Sequence, residues 1–98
     1  MNQQADPASC ANLLKVLADE KRLAVVRRLM DGPKHVGELN ETLCLEQSRL
    51  SHHLKILREA GLVESKRDGK AVLYSLSPNF RSTTTGEAIN LGCCMISF

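Results

Sequence analysis

Apolar residues recur at helical spacing over the first sixty positions of this chain and alternate afterwards. Asp6-Pro7-Ala8-Ser9 has the composition of a helix start: a capping carboxylate, then proline where its missing N–H costs nothing. Leu13, Leu14, Val16 and Leu17 give that helix a broad apolar face, and it runs to about Asp19. Asp19 caps a second helix with Leu23, Val26, Leu29 and Met30 on one stripe and Lys21, Arg22, Arg27 and Arg28 on the opposite face. Gly32-Pro33 ends it. A short third helix covers 36–43, with Val36, Leu39 and Leu43 in phase, and Cys44-Leu45-Glu46 is a turn. Residues 47–60 resume the helical pattern through Leu50, Leu54 and Leu57, with Ile56 beside them, and Gly61 closes the helix.

After Gly61 the period changes. Residues 62–67 form a strand, Asp68-Gly69 is a hairpin turn signal, and residues 71–76 form a second strand. Pro78 breaks it, and 81–86 has poor helix propensity. Residues 87–91 can make one or two helical turns, and the apolar 92–98 reads equally as an extended tail or as the end of a packed helix. The fold class is mainly α with a small β-hairpin (α+β). A short helix, a three-residue turn, a longer helix and a hairpin together make a winged helix-turn-helix, one domain over 1–98. The helix-turn-helix occupies about 36–60, the wing about 62–77, and a cysteine-bearing C-terminal segment about 79–98.

Composition sharpens this. Ninety-eight residues with 43% hydrophobic and 24% charged are one globular domain, not a disordered chain. Only three aromatics (Tyr74, Phe80, Phe98) serve the core, so a partner subunit would help it. No apolar run is long enough for a transmembrane helix, and residues 1–8 lack a secretory pattern, so a cytoplasmic location with thiols at rest is expected. The net charge of +2 identifies no partner; the placement of charge does.

Gln47, Ser48, Arg49, Ser51, His52, His53 and Lys55 are polar groups on the second helix of the motif, placed away from Leu50, Leu54 and Leu57. Arg49 has the geometry to read guanine and Gln47 adenine, while the others suit phosphates. Lys66, Arg67 and Lys70 cluster at the wing tip. A solvated helix face explains the first set alone, but not the conjunction of helix, turn and basic wing, which points to double-stranded operator DNA. No enzyme is expected: the chain has no Cys-x-x-Cys ahead of a helix, no glycine-rich phosphate loop and no acid–base constellation.

The stretch Leu50-Ser51-His52-His53-Leu54-Lys55-Ile56-Leu57-Arg58-Glu59-Ala60-Gly61-Leu62-Val63 resembles the recognition-helix signature of the ArsR/SmtB repressors, and the resemblance extends over about residues 12–78. It implies a homodimer whose first and last helices pack together, bound to an imperfect palindrome and released by an inducer, with 79–98 serving dimerisation and sensing. Arsenic sensors of the best-known subtype carry Cys-Val-Cys-Asp-Leu where this chain has His35, Val36, Gly37, Glu38 and Leu39, so that thiol pair is missing. The last-helix zinc site of the family is missing too, since no histidine follows His53. Glu46-Gln47-Ser48-Arg49 stands where the family has Ser-Gln-Pro-Thr, which alters the bases read.

The four cysteines then carry the sensing. Cys93 and Cys94 offer two thiolates, and Cys10 on the first helix is the first choice for the third, within or between subunits; Cys44 is the other candidate, although its apolar neighbours make it a small core filler. Three thiolates suit trivalent arsenic or antimony, As(III) or Sb(III), as inducer, with no cofactor needed for DNA binding. The alternatives are a disulfide or polysulfide bridge among Cys10, Cys93 and Cys94, or a soft metal such as zinc, cadmium or copper(I). His52 and His53, adjacent on one helix, point about a quarter-turn apart and make a poor chelate.

Overall fold

The computed structural model describes residues 7–80 and 88–98. The expected cap Asp6, the segment 81–86 and Glu87 lie outside the described residues. Helix α1 (Pro7–Leu17) starts at the proline. It breaks at Ala18 because Asp19 begins a new helix, α2 (Glu20–Leu29): its carboxylate accepts the N–H of Lys21 at 2.9 Å and of Arg22 at 3.1 Å. The Arg22 amide contributes most to holding that carboxyl below its ordinary pKa.

A two-residue strand, β1 (Lys34–His35), follows and has no counterpart in the sequence reading, because two residues are too few to show alternation. Helices α3 (Val36–Leu43) and α4 (Gln47–Glu59) lie within a residue of expectation. α4 ends in a Schellman motif, with Gly61 at φ +80° donating to Arg58 O and Leu62 donating to Leu57 O, each at 3.0 Å. That motif buries Leu62 and turns the chain directly into the wing.

The wing strands β2 (Val63–Asp68) and β3 (Ala71–Leu76) are antiparallel, and β1 completes the sheet in the order β1-β3-β2. Asp68 pairs with Ala71, so the loop is Gly69-Lys70, one residue later than the Asp68-Gly69 expected. Gly69 at φ +63° takes the first loop position, where a type II′ turn demands glycine.

The C-terminal segment corrects the expectation most. Neither helical turns over 87–91 nor the last helix implied by the resemblance occurs among the described residues; β4 (Ala88–Asn90) and β5 (Met95–Ser97) form an antiparallel hairpin. Ala88 and Ile89 are buried, and from Ile89 onward burial alternates, with Asn90 exposed and Leu91 in the core, a period of two. The connection is a tight turn. Leu91 N–H donates to Cys94 O at 2.8 Å, Gly92 takes φ +90°, and its N–H donates to the Asn90 side chain at 2.8 Å. Ile89 and Leu91 join one core with Val25, Val26, Leu39, Leu50, Leu54 and Leu57.

Candidate nucleic-acid interface and thiol cluster

α4 presents Gln47, Ser48, Arg49, Ser51, His52 and Lys55 to solvent, and seats Leu50, Leu54 and Leu57 in the core. His53 does not share the polar face on which the sequence reading placed it. It is 8% exposed, because position 53 falls three residues after Leu50 and four before Leu57, on the inner stripe. Burial depresses its pKa, and Nδ1 faces the Arg22 guanidinium Nη1 3.4 Å away, a group that can only donate to it. Arg22 is likewise turned inward from the expected basic face. Its Nε donates to Val16 O at 2.6 Å, so one side chain ties the end of α1 to α4.

The turn before α4 is held by Asn40, a residue the sequence reading passed over. Its amide accepts Leu45 N–H at 2.8 Å and donates to Leu45 O at 2.9 Å, closing the α3–α4 connection with two bonds. An asparagine four residues ahead of the helix-turn-helix turn was the available signal. Cys44 corrects a second expectation: it is exposed, not a core filler. It caps α3 in the left-handed region at φ +54°, which aims the side chain outward from the turn.

In the wing, Lys66, Arg67 and Lys70 are all exposed around the Gly69-Lys70 loop. Asp68 sits among them and is engaged from behind. His35 Nε2 lies 2.9 Å from Asp68 Oδ2, and His35 Nδ1 lies 3.2 Å from Glu38 Oε1. The Asp68 hydrogen bond is the chief reason the His35 pKa is raised, and the His35 backbone N–H chiefly lowers that of Glu38. One imidazole thus bridges the first helix of the motif to the wing tip.

The cysteines expected to act together do come together. Cys10 on α1 and Cys93 at the tip of the β4–β5 hairpin form a disulfide, with Cα atoms 6.1 Å apart, and Cys94 is a free, half-buried thiol beside it. The three sulfurs lie within 4.8 Å of one another, so the side chains of Cys10, Cys93 and Cys94 are the set that could hold a soft ion among the described residues. Cys44 is not part of this cluster. A further link fastens the hairpin to α2: the Arg27 guanidinium stands 5.1 Å above the Phe98 ring.

Residues 19–65, from the cap of α2 into the wing, match the model of the family described as "Bacterial regulatory protein, arsR family". The chain is 39% identical over 82 residues to the HTH-type transcriptional regulator NmtR of Mycobacterium tuberculosis, covering 84% of this chain and 68% of that one. It is 43% identical over 67 residues to the biofilm growth-associated repressor of Xylella fastidiosa, covering 68% of this chain and 59% of the relative. Among solved structures, reduced HlyU from Vibrio cholerae superposes with a TM-score of 0.69 at 40% identity, over 81% of this chain and 78% of the other. With the helix-turn-helix, the wing and these likenesses agreeing, the chain belongs to the arsR family of bacterial regulatory proteins, winged-helix regulators of transcription that bind DNA and are not enzymes.

Proposed function

We propose that this protein is a homodimeric repressor whose hold on operator DNA is set by the oxidation state of Cys10 and Cys93. The observation that carries this reading is the meeting of three sulfurs within 4.8 Å, two of them bonded, between a helix and a hairpin that are 83 positions apart in sequence. Operator binding places the protein with the chromosome in the cytoplasm, where a disulfide is transient and reports oxidant. One relative of known structure, HlyU from Vibrio cholerae, is described in a reduced state, and another relative is named a repressor. Exposed Leu14 and Met95, 43% and 54% accessible, offer apolar surface for the second subunit.

Gln47, Ser48, Arg49, Ser51, His52 and Lys55 contact the operator from α4, and Lys66, Arg67 and Lys70 from the wing. Two such helices serve half-sites about 34 Å apart. On oxidation the two thiols give two electrons and two protons to a peroxide or polysulfide, and the new bond fixes the hairpin to α1. The bridged dimer then spaces its α4 helices wrongly for the two half-sites.

Binding to an operator selected with reduced protein tests this, by anisotropy before and after diamide. Oxidation should weaken the wild type at least tenfold and leave Cys10→Ser unchanged. Equal affinity in both states refutes it. For the contacts, Arg49→Ala should cost about 1–3 kcal/mol on the operator and relax one position per half-site, while Lys66→Ala weakens every sequence alike. Loss of specific and random binding together at Arg49 would remove its base-reading role.

Cys94 favours a second reading, in which As(III) or Sb(III) takes three thiolates from the reduced cluster and water leaves. Under reductant, arsenite should release wild type and spare Cys94→Ser; equal release ends it. Antimonite, zinc, cadmium and copper(I) complete the titration.

A further inference from the structure

The oxidation reading above uses two thiols, Cys10 and Cys93, yet three meet. Cys94 Sγ lies within 4.8 Å of both bonded sulfurs, half-buried, while Cys93 is exposed. A bridge between Cys93 and Cys94 themselves is disfavoured, because neighbouring Cα atoms are about 3.8 Å apart and disulfides span about 4.4–6.8 Å. Within the cluster, Cys94 therefore has one accessible partner, Cys10, and it competes with Cys93 for it.

We propose that Cys94 is a second resolving thiol that converts Cys93 into a site of modification by a low-molecular-weight disulfide. The Cys94 thiolate attacks Cys10 Sγ. The Cys10–Cys94 bond forms as the Cys10–Cys93 bond breaks, and the electron pair and proton pass to Cys93. No net oxidation occurs in that step. The freed Cys93 thiolate, at the exposed tip of the β4–β5 hairpin, then attacks a small disulfide RSSR. A Cys93–S–S–R bond forms, the RSSR bond breaks, and one RS⁻ departs and takes up a proton. The end state holds an internal disulfide and a mixed disulfide together, two electrons more oxidised than the Cys10–Cys93 form at the expense of RSSR. Exchange also moves the internal bond from the exposed cysteine to the half-buried one, where attack by solvent thiols is slower.

This inference rests on the cluster proposed above for sensing but is tested without DNA. Cys44 is exposed and would take adducts of its own, so every protein carries Cys44→Ser. Full-length chains are treated with oxidised glutathione, alkylated and read by intact mass and tandem sequencing. The parent should gain one glutathione on Cys93 and lose two hydrogens to a Cys10–Cys94 bond. Cys93→Ser should close Cys10–Cys94 without an adduct, Cys94→Ser should close Cys10–Cys93 without an adduct, and Cys10→Ser should accumulate adducts. Failure of Cys93→Ser and of Cys93→Ala to form an internal bond overturns the proposal. So does a Cys94→Ser protein that carries the Cys93 adduct as the parent does. Should oxidised and reduced protein hold operator equally, the gating reading falls and these masses still decide the exchange.

Discussion

Sequence alone places Arg22 on the basic face of α2, yet its contacts to Val16 O and His53 make its removal costly. Arg22→Met keeps the aliphatic stem and deletes the guanidinium. Its Nε bond to Val16 O is 2.6 Å long and charge-assisted, a class that contributes about 1.5–3 kcal/mol. The contact to His53 Nδ1 at 3.4 Å is long and adds about 0.5 kcal/mol. A loss of about 2–3.5 kcal/mol follows, which in a domain this size lowers the melting temperature by roughly 8–28 °C. Arg27→Met on the same helix is the control. It deletes the stacking of the exposed Arg27 on Phe98, about 0.5–1 kcal/mol. Thermal unfolding by circular dichroism, in reductant and at one fixed protein concentration, reads both variants, since assembly would otherwise shift the midpoint. If Arg22→Met melts no lower than Arg27→Met, the tie from α1 through Arg22 to the recognition helix carries no energy and the reasoning fails.

Cys44 occupies a left-handed cap where side chains cost about 1–2 kcal/mol and glycine little, so Cys44→Gly should stabilise by about 0.5–1 kcal/mol net of chain entropy, measured in urea; a destabilised variant would count against the strain, and a lost response to diamide would draw Cys44 into sensing. For His35 the folded pKa is raised above its usual 6.5, so its contribution to stability is complete below that value and disappears as pH climbs through the folded one. Asp68→Asn removes the chief cause, and a melting-temperature profile should lose that decline above pH 6.5; an unchanged profile refutes the latch. His53 has the opposite sign: its depressed pKa makes the fold lose stability as pH falls below 6.5, with Asp19, Arg22, His52 and Arg49 as the charges around it. The Cys10–Cys93 bond closes a loop of 83 positions, for which chain entropy gives about 3–5 kcal/mol. Reductant should therefore lower the melting temperature of oxidised wild type by roughly 12–40 °C and leave Cys10→Ser unmoved; a wild type indifferent to reductant contradicts the pairing.

How much of this was legible in the sequence follows the range of the forces involved. The four helices announced themselves because caps and stripes are local: Asp19, Gly61 and the leucines at 50, 54 and 57 each act within one or two turns of where they stand. His53 was misplaced by polarity. A histidine next to a polar run reads as exposed, yet its angular position puts it beside Leu50 and Leu57, where a neutral ring with an arginine partner is tolerated. β1 escaped because its warrant is non-local, a pairing of Lys34 with Tyr74 across the chain.

The thiol cluster shows the same division more sharply. Sequence supplied the adjacent pair and named Cys10 as its partner through the family's packing of first and last helices. The structure reaches the same partner by a different route. On a helix, Cys93 and Cys94 would point about a quarter-turn apart, but at a hairpin tip the tight turn from Leu91 to Cys94 gathers both sulfurs against α1. What determines that tip is Asn90-Leu91-Gly92: an asparagine that accepts the N–H two residues on, an inward leucine, and a glycine at positive φ. Those residues look like the weak end of a helix when read at period 3.6, and like a turn when read at period two. The convergence of the sulfurs is therefore a property of the turn, and a change at Gly92 that forbids φ +90° should scatter them as surely as deleting a cysteine.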